Sequence, residues 1–378
     1  MDTKHCLLGM ELGARQSFEN MAVFPLRLAG NGGPEYITLG EAMERGVLVV
    51  GEVSAGGSVP ELMVENRGDV AVLILDGEEL AGAKQNRVLN TTILVGPKSA
   101  TRIPVSCTEH GRWSYVSEVF RESGNVMAPQ LRQVNMQRVH SSLRSGGQFH
   151  GDQGAVWDGI ARMHEDAQVD SMTGAMRDVF EAKRTVLEDY LKSFGLEGGQ
   201  KGALVFIGGK AAGLDFVSRE AAYGLLHAKL VKSYAMEAML EAERAKRGRP
   251  APSNILKPCG PPPDEREEGE RGKGQGKSKK PAKKPRADAG KGAASGGEKP
   301  TEAGAREFLT KAAECREARY QSVGLGDSLR YEGRGVIGSA LALDGAVIHL
   351  AFFGTEDGEP GRKAEDMAAL GSRRRYRL

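Results

Sequence analysis

Short apolar runs separated by turn-forming residues dominate the first third of the chain. Ala22 to Leu28, Leu48 to Val53, Val70 to Leu75 and Leu94 to Val105 have the length and β-branched content of strands. Turn formers recur at Gly30-Asn31-Gly32-Gly33-Pro34, Ala55-Gly56-Gly57-Ser58, Asn66-Arg67-Gly68-Asp69 and Gly96-Pro97-Lys98-Ser99. Alternation within the runs is imperfect, as happens when both faces of a strand are buried. The spacing therefore predicts an antiparallel β-rich unit over residues 22 to 107, a sandwich or barrel-like sheet. One short helix interrupts it: Thr38 reads as an N-cap, Glu41 completes a capping box, and Gly46 stops the helix. Residues 1 to 20 are weakly patterned and predict a loose arm or one short element.

After Trp113 the period changes. Residues 129 to 144 are polar and helical in character, and Val156, Ile160 and Met163 mark a face spaced by three and four. Met176, Val179, Phe180, Leu187, Tyr190, Leu191 and Phe194 form one stripe, predicting a single helix that Gly195 ends. Ala203 to Ile207 and Leu214 to Val217 read as strands around Gly208-Gly209-Lys210, and Ser218 as the cap of a long helix carrying Tyr223, Leu226, Leu230 and Tyr234. From about Lys246 to Pro300 the composition falls to Pro, Gly, Lys, Glu and Ser, which cannot bury enough apolar surface to offset chain entropy and predicts a disordered charged linker. A helix from Thr301 follows, with Phe308, Ala312 and Cys315 on one face, then strands at Val323 to Tyr331, Val336 to Leu343 and Val347 to Phe353. Asp344-Gly345 joins the last two as a hairpin. The expected fold is α+β, with an antiparallel β-rich N-terminal half, a helical middle and a C-terminal hairpin or meander. Residues 21–245 and 301–353 then form one domain split by the linker, and 354–378 a flexible basic tail.

One stretch violates the pattern. Between strand-like flanks, Asp76 to Val95 carries Glu78, Glu79, Lys84, Gln85, Asn86, Arg87, Asn90 and Thr91, with Gly77 and Gly82 among them. Such polarity in a packed sheet either faces solvent or lies in a hydrogen-bonded pocket. In the pocket reading Glu79 is an acid, base or hydroxyl acceptor, Lys84 and Arg87 hold a phosphate or carboxylate, and the amides of Gln85, Asn86 and Asn90 read a sugar or base. These groups are then expected to converge on one water-poor hollow. In the plain reading they form a solvated strand face.

Composition narrows the function classes. The chain has 378 residues, 40% of them hydrophobic, and a formal net charge of +2, so it lacks the bulk positive charge of a general nucleic-acid binder. Contact with nucleic acid is expected only through the lysine run of the linker, where no aromatic residues interleave. Cys6, Cys107, Cys259 and Cys315 form no CxxC pair, which argues against a disulfide scaffold or structural zinc. No signal-peptide block and no membrane-length apolar run occurs, so a cytoplasmic protein without membrane contact, metal or cofactor is expected.

Cys107, Glu109 and His110 sit together before Gly111-Arg112-Trp113. A nucleophilic thiolate with a nearby base is one reading and a buried structural cysteine the other. Arg112 beside Trp113 reads as a stacked ion anchor or as a packing device. Gly208-Gly209-Lys210 fails the phosphate-loop spacing and reads as a tight hairpin. Gly333-Arg334-Gly335-Val336-Ile337-Gly338 matches GxGxxG, but a strand follows it, which excludes the dinucleotide fingerprint. His164-Glu165 lacks the second histidine of a zinc-protease helix.

Several strings closely resemble the ARG and rhodanese-phosphatase-superfamily-associated protein domain. They are Asp76 to Leu80, Gly82 to Arg87, Asn90 to Thr92, Ile103 to Cys107, Glu109 and Gly111 to Trp113. Later similar strings are Gly208 to Lys210 with Asp215 and Phe216, Ser322 to Gly326 with Arg330, and Gly338 to Leu341 with His349 and Leu350. The resemblance spans about residues 20 to 245 and 301 to 353. It departs at His110, where many members have glutamine, and at the long linker. That family takes its name from neighbouring ADP-ribosylglycohydrolases and rhodanese-like phosphatases. The resemblance therefore implies a place in NAD or ADP-ribose metabolism, a nucleotide-like small molecule as partner, and ADP-ribosylglycohydrolase-pathway proteins as candidate partners. It assigns no reaction.

Three functions follow. The first is binding, with or without processing, of an ADP-ribose-like or other phosphorylated nucleotide, with Glu79 and Glu109 as acid, base or ribose acceptors. Lys84, Arg87 and Arg112 then neutralise pyrophosphate, while Gln85, Asn86, Asn90 and Trp113 complete the pocket. The second is a hydrolase or transferase dependent on Cys107. The third is a non-catalytic interaction scaffold using the linker and basic tail.

Overall fold

The computed structural model describes residues 2–30, 33–54, 60–249 and 299–355. The chain begins α1 (Thr3–Leu8), β1 (Glu11–Leu12), β2 (Gln16–Phe18), β3 (Met21–Arg27), β4 (Tyr36–Thr38), α2 (Leu39–Glu44), β5 (Leu48–Glu52) and β6 (Glu61–Asn66). It continues through β7 (Ala71–Ile74), β8 (Glu78–Gly82), β9 (Arg87–Leu89), β10 (Ile93–Val95), β11 (Ser99–Cys107) and β12 (Phe120–Val126). Helices α3 (Pro129–Gly146), α4 (Gln153–Ala167), α5 (Met176–Ala182) and α6 (Arg184–Ser193) come next, then β13 (Gly202–Ile207), β14 (Lys210–Val217) and α7 (Glu220–Lys246). Last come α8 (Glu302–Ala313), β15 (Arg316–Gln321), β16 (Asp327–Gly333), β17 (Val336–Leu343) and β18 (Ala346–Gly354). The fold is α+β, as its sequence pattern predicts.

Three sheets organise these elements. A nine-stranded sheet runs β1-β3-β13-β14-β18-β17-β16-β15, with β2 also on β3; a six-stranded sheet runs β12-β8-β9-β11-β6-β5; β10-β7-β4 form a third. The two end strands of the six-stranded order, β12 and β5, come into contact, so that sheet curls toward closure. Among the described pairings β4 with β7 is parallel, and the others are antiparallel.

The expected 22–107 β-unit is thus incomplete in one respect. β3 leaves it and pairs with β13, Leu26 opposite Gly202, joining the N-terminal segment to the C-terminal meander. Its pattern explains the choice. Met21 and Val23 enter a core shared with α4 to α7, while Ala22, Phe24 and Leu26 enter a second core under α1 and α8. A strand buried on both faces needs a covering layer on each, and the large sheet offers both at this position. A third core, containing Val50, Leu62, Val64, Leu80, Leu89, Ile103 and Val105, fills the curled sheet.

Local signals behave as their chemistry dictates, with instructive exceptions. Thr38 and Glu41 form the capping box of α2. Asp344 and Gly345 take φ of 51° and 74°, the left-handed pair of a type I′ hairpin. The stripe from Met176 to Phe194 bends at Lys183 (φ −103°, ψ 12°), dividing it into α5 and α6 and letting Phe180 and Tyr190 both reach the main core. Ser218 does not cap α7: Arg219 holds that position without a side-chain bond, and the Ser218 hydroxyl meets the Tyr36 hydroxyl at 3.0 Å. Residues 3–18 are no loose arm, because α1 packs on α8 and both short strands pair with β3. The strand expected from Val323 begins only at Asp327, and β15 and β12 appear where no strand was expected. Most of the expected linker and tail, residues 250–298 and 356–378, lies outside the described residues.

Candidate functional site

Strand register decides where the polar block points. Leu80 pairs with Arg87, and Arg87 with Cys107, so these three share one face of the curled sheet. Glu79 pairs with Val88, and Val88 with Ser106, which puts Glu79 on the opposite face. The expected residues therefore do not share one hollow. They occupy separate settings on two sides of β8, β9 and β11.

Glu79 faces the helical side and is fully buried. Thr108 Oγ1 donates to its Oε1 at 2.9 Å and Asn125 Nδ2 to its Oε2 at 3.4 Å. Burial pushes the Glu79 carboxyl above its ordinary value, against these hydrogen bonds. Its neighbour Glu78 pairs with Lys229 of α7, which also holds Glu122. With one cation between two carboxylates, burial holds the deeper Glu78 up as well.

Glu109, Arg112 and Asn86 build the turn after β8. Arg112 donates to Glu109 Oε2 at 2.5 Å, Asn86 Oδ1 at 3.2 Å and the Ala83 carbonyl at 2.8 Å. Asn86 Oδ1 also accepts the Gly82 amide at 3.1 Å, and the Asn86 amide reaches Glu109 Oε2 at 3.3 Å. These bonds hold a backbone of left-handed residues, Gly82 at φ 127° and Ala83 at φ 42°. A Cβ on Gly82 would lie 2.6 Å from Ser117 Oγ, so glycine is required there. Burial alone raises the Glu109 carboxyl, but the Arg112 bond and charge outweigh it and hold it below its usual range. This trio is occupied in supporting a loop.

What the loop supports is a cationic and aromatic mouth on the curled sheet. Arg87 is 0% exposed; its Nη1 donates to Gln85 Oε1 at 2.9 Å, while Nε and Nη2 have no partner among the described residues. The Trp113 ring lies 5.6 Å from the Arg87 guanidinium and 5.3 Å from Lys84 Nζ, and the Tyr115 ring 5.1 Å from that Nζ. Trp113 and Tyr115 are half exposed, at 49% and 51%. Glu52, the last residue of β5, has both carboxylate oxygens buried and without a partner among the described residues. Burial lowers the Arg87 guanidinium from its usual range, and the charges of Cys107 and Glu52 oppose that shift. Sequence reading missed Glu52, a lone carboxylate closing an apolar run.

Cys107 lies across from Arg87 and is 1% exposed. Its backbone amide and carbonyl are both held by the Gln153 side chain, at 2.7 and 2.9 Å. Burial pushes the thiol up, with Arg87 only partly offsetting it, the reverse of what a thiolate nucleophile needs. His110 packs edge-on against Trp157, ring centres 4.4 Å apart.

Asn90 belongs to a third setting that no local pattern announces. Its Oδ1 accepts from Ser106 Oγ at 2.8 Å and Asn135 Nδ2 at 3.3 Å. Beside it Arg132 bridges Asp76 and Asp215, Tyr234 donates to Asp215 at 2.7 Å, and Thr92 links Asp76 to His349 Nδ1. Arg330, 4% exposed, donates to Thr91 Oγ1 at 2.6 Å and lies 5.3 Å from the Phe149 ring. The gap between Asp76, Asn90, Arg132, Asn135 and Arg330 is too narrow for a water-sized sphere. Two carboxylates and two guanidiniums balance there, as suits a polar core joining the sheets. A hollow of about 590 Å³ beside Leu28, Pro34, Phe216 and Val347 contains none of the expected residues.

Among the described residues no group of three or more His, Cys, Asp or Glu is placed to hold a metal, and no helix is long and apolar enough to cross a membrane. The sequence profile of one family matches the chain over residues 9–280 and 280–353. No curated protein and no solved structure matches it.

Proposed function

The chain belongs to the ARG and rhodanese-phosphatase-superfamily-associated protein domain family, and on that premise we propose that it is a cytoplasmic protein binding a phosphorylated nucleotide, ADP-ribose-like in character, at the Arg87 mouth. One observation carries the reading: the buried Arg87 presents Nε and Nη2, one edge of its fork, with no protein acceptor among the described residues, beneath the half-exposed Trp113 ring. Burying a guanidinium without hydrogen-bonding that edge is unfavourable by about 1–3 kcal/mol or more, and a phosphate oxygen pair satisfies it in bidentate fashion. Trp113 and Tyr115 offer π-faces to a base, and Lys84 adds a second cation at the same mouth. The mouth of a curled β-sheet is a common place for such a ligand.

Within this reading Lys84, Gln85, Arg87 and Trp113 contact the ligand. Asn86, Glu109 and Arg112 act by positioning the turn. The raised thiol of Cys107 favours a packing role over a nucleophilic one. Titration calorimetry with ADP-ribose and NAD tests the proposal. Binding is expected in the parent chain, weakened about tenfold or more by Arg87→Met and clearly by Trp113→Ala. Absence of heat from either ligand at millimolar concentration overturns it.

A further inference from the structure

Resting on the nucleotide reading above, we infer that the ligand seated over Arg87 presents a vicinal diol, the 2,3-diol of a ribose, and that Glu52 accepts both of its hydroxyls. Glu52 closes β5, and its backbone is fixed by pairing with Leu62. Both side-chain oxygens are buried and unpartnered among the described residues. An ionised carboxylate is an acceptor only, so both oxygens require donors. The cation whose charge acts on it, Arg87, does not supply them: its Nη1 is engaged by Gln85, and its free edge makes no bond to Glu52. Glu52 pairs with Leu62, Leu62 with Ile103, and Arg87 with Cys107, so both side chains issue from the same face of the curled sheet. That face therefore displays two complementary demands, a donor edge needing an oxyanion and an acceptor pair needing two hydroxyls.

Few biological ligands meet both demands within one short fragment. A phosphate needs acceptors of its own charge kept away and satisfies only Arg87. A neutral sugar satisfies only Glu52. A ribose carrying a phosphate or pyrophosphate on its 5-carbon satisfies both, and an attached base has Trp113 and Tyr115 to stack on.

The same geometry predicts a discrimination that a merely structural carboxylate does not produce. Losing one hydroxyl leaves a charged acceptor unpaired in a buried site, which is penalised far more than the loss of a neutral contact. The test is calorimetric titration of ADP-ribose against two analogues, each lacking the 2-hydroxyl of one of its two riboses. The parent chain is expected to bind one analogue about tenfold or more weaker than ADP-ribose. Glu52→Gln, nearly isosteric, is expected to bring that ratio to within about threefold while retaining measurable ADP-ribose binding. Glu52→Asp, which keeps the charge on a shorter arm, provides a second variant, and thermal melting confirms that each is folded.

Arg87→Met is expected to weaken all three ligands together. If the parent chain binds ADP-ribose and both analogues equally, the Glu52 assignment is overturned and the nucleotide site stands. The assignment also fails if Glu52→Gln discriminates as the parent does. If none of the three ligands binds the parent chain, the nucleotide reading itself is overturned and this inference falls with it.

Discussion

Arg132 on α3 donates to both carboxylate oxygens of Asp215 on β14, Nη1 to Oδ2 at 3.0 Å and Nη2 to Oδ1 at 2.8 Å. Its Nε and Nη2 also reach Asp76 just before β8, at 3.2 and 3.1 Å. One guanidinium thus fastens the helical layer, the large sheet and the polar stretch together. Burial alone raises both carboxyls, but the Arg132 charge outweighs it and holds Asp76 and Asp215 below the usual range. Arg132→Met leaves two buried carboxylates without their cation, and a loss of about 3–5 kcal/mol is expected in denaturant unfolding. Adding Asp215→Asn to Arg132→Met is expected to cost less than the sum of the single changes. Strict additivity would show that the two groups act independently. The sign of the pH effect follows: stability from these depressed carboxyls is present above the unfolded value of about 4 and is lost as pH falls through the folded values.

A second acid-sensitive group lies further along α3, against β16. His140 is 2% exposed, and burial lowers its imidazole to about 4 while its Nδ1 lies 3.3 Å from Glu332 Oε1. Glu332, which Arg144 also engages, is held down to about 2 by its bond to His140. A neutral imidazole protonated at Nδ1 satisfies both observations. Because the unfolded chain binds this proton first, stability rises with pH between about 4 and 6.5 and falls on acidification through that window. His140→Gln removes the titration, and on the order of 3 kcal/mol of acid sensitivity should vanish between these limits. Denaturant midpoints measured at several pH values check this. Equal slopes for parent and variant would mean that His140 is charged in the folded chain.

Legibility in the sequence followed the range of the interactions. The Thr38–Glu41 box and the Asp344-Gly345 turn were readable because each is settled within four residues. β15 was not, since it lies at the edge of the large sheet with alternate residues in solvent and few apolar ones to mark it. The polar stretch was recognisable as exceptional, yet its division was hidden. Glu79 and Arg87 face opposite ways because the hairpin pairs Glu79 with Val88 and Leu80 with Arg87, a register that side-chain chemistry alone does not reveal. Asp215, Arg330 and His349 reach the Asp76 network only through the strand order, so no local pattern could announce them. Glu52 escaped notice for a simpler reason: one acid at the end of Leu-Val-Val-Gly reads as an ordinary strand end.

Cys107 provides a direct chemical check on the bland reading of its neighbourhood. Its thiol is buried, raised in pKa, and enclosed by a strand whose backbone Gln153 clamps on both sides. Alkylation by iodoacetamide at neutral pH, followed peptide by peptide by mass spectrometry, is expected to leave Cys107 unmodified in the folded chain and to modify it after denaturation. Cys107→Ala should keep ADP-ribose binding, with stability reduced by about 1 kcal/mol for the lost packing. Labelling of native Cys107 at the rate of a free thiol would return it to consideration as a nucleophile.

The mouth itself predicts an inverse relation between stability and binding. Arg87 and Glu52 are both desolvated, and neither recovers that penalty through a full set of hydrogen bonds. Replacing buried charges by well-packed groups of similar volume is often neutral or stabilising, by about 1–4 kcal/mol, provided that both signs are removed together. Removing Arg87 alone leaves Glu52 without the cation acting on it, so Arg87→Met is expected to be less stable than the double variant Arg87→Met/Glu52→Gln. The double variant should unfold at a denaturant concentration equal to or above that of the parent chain while its ADP-ribose binding is lost. Guanidinium midpoints read the first quantity and calorimetry the second. A double variant destabilised by more than about 2 kcal/mol would mark the two residues as an ion pair serving the fold. A stable but non-binding one ties their unmet hydrogen-bonding capacity to the ligand.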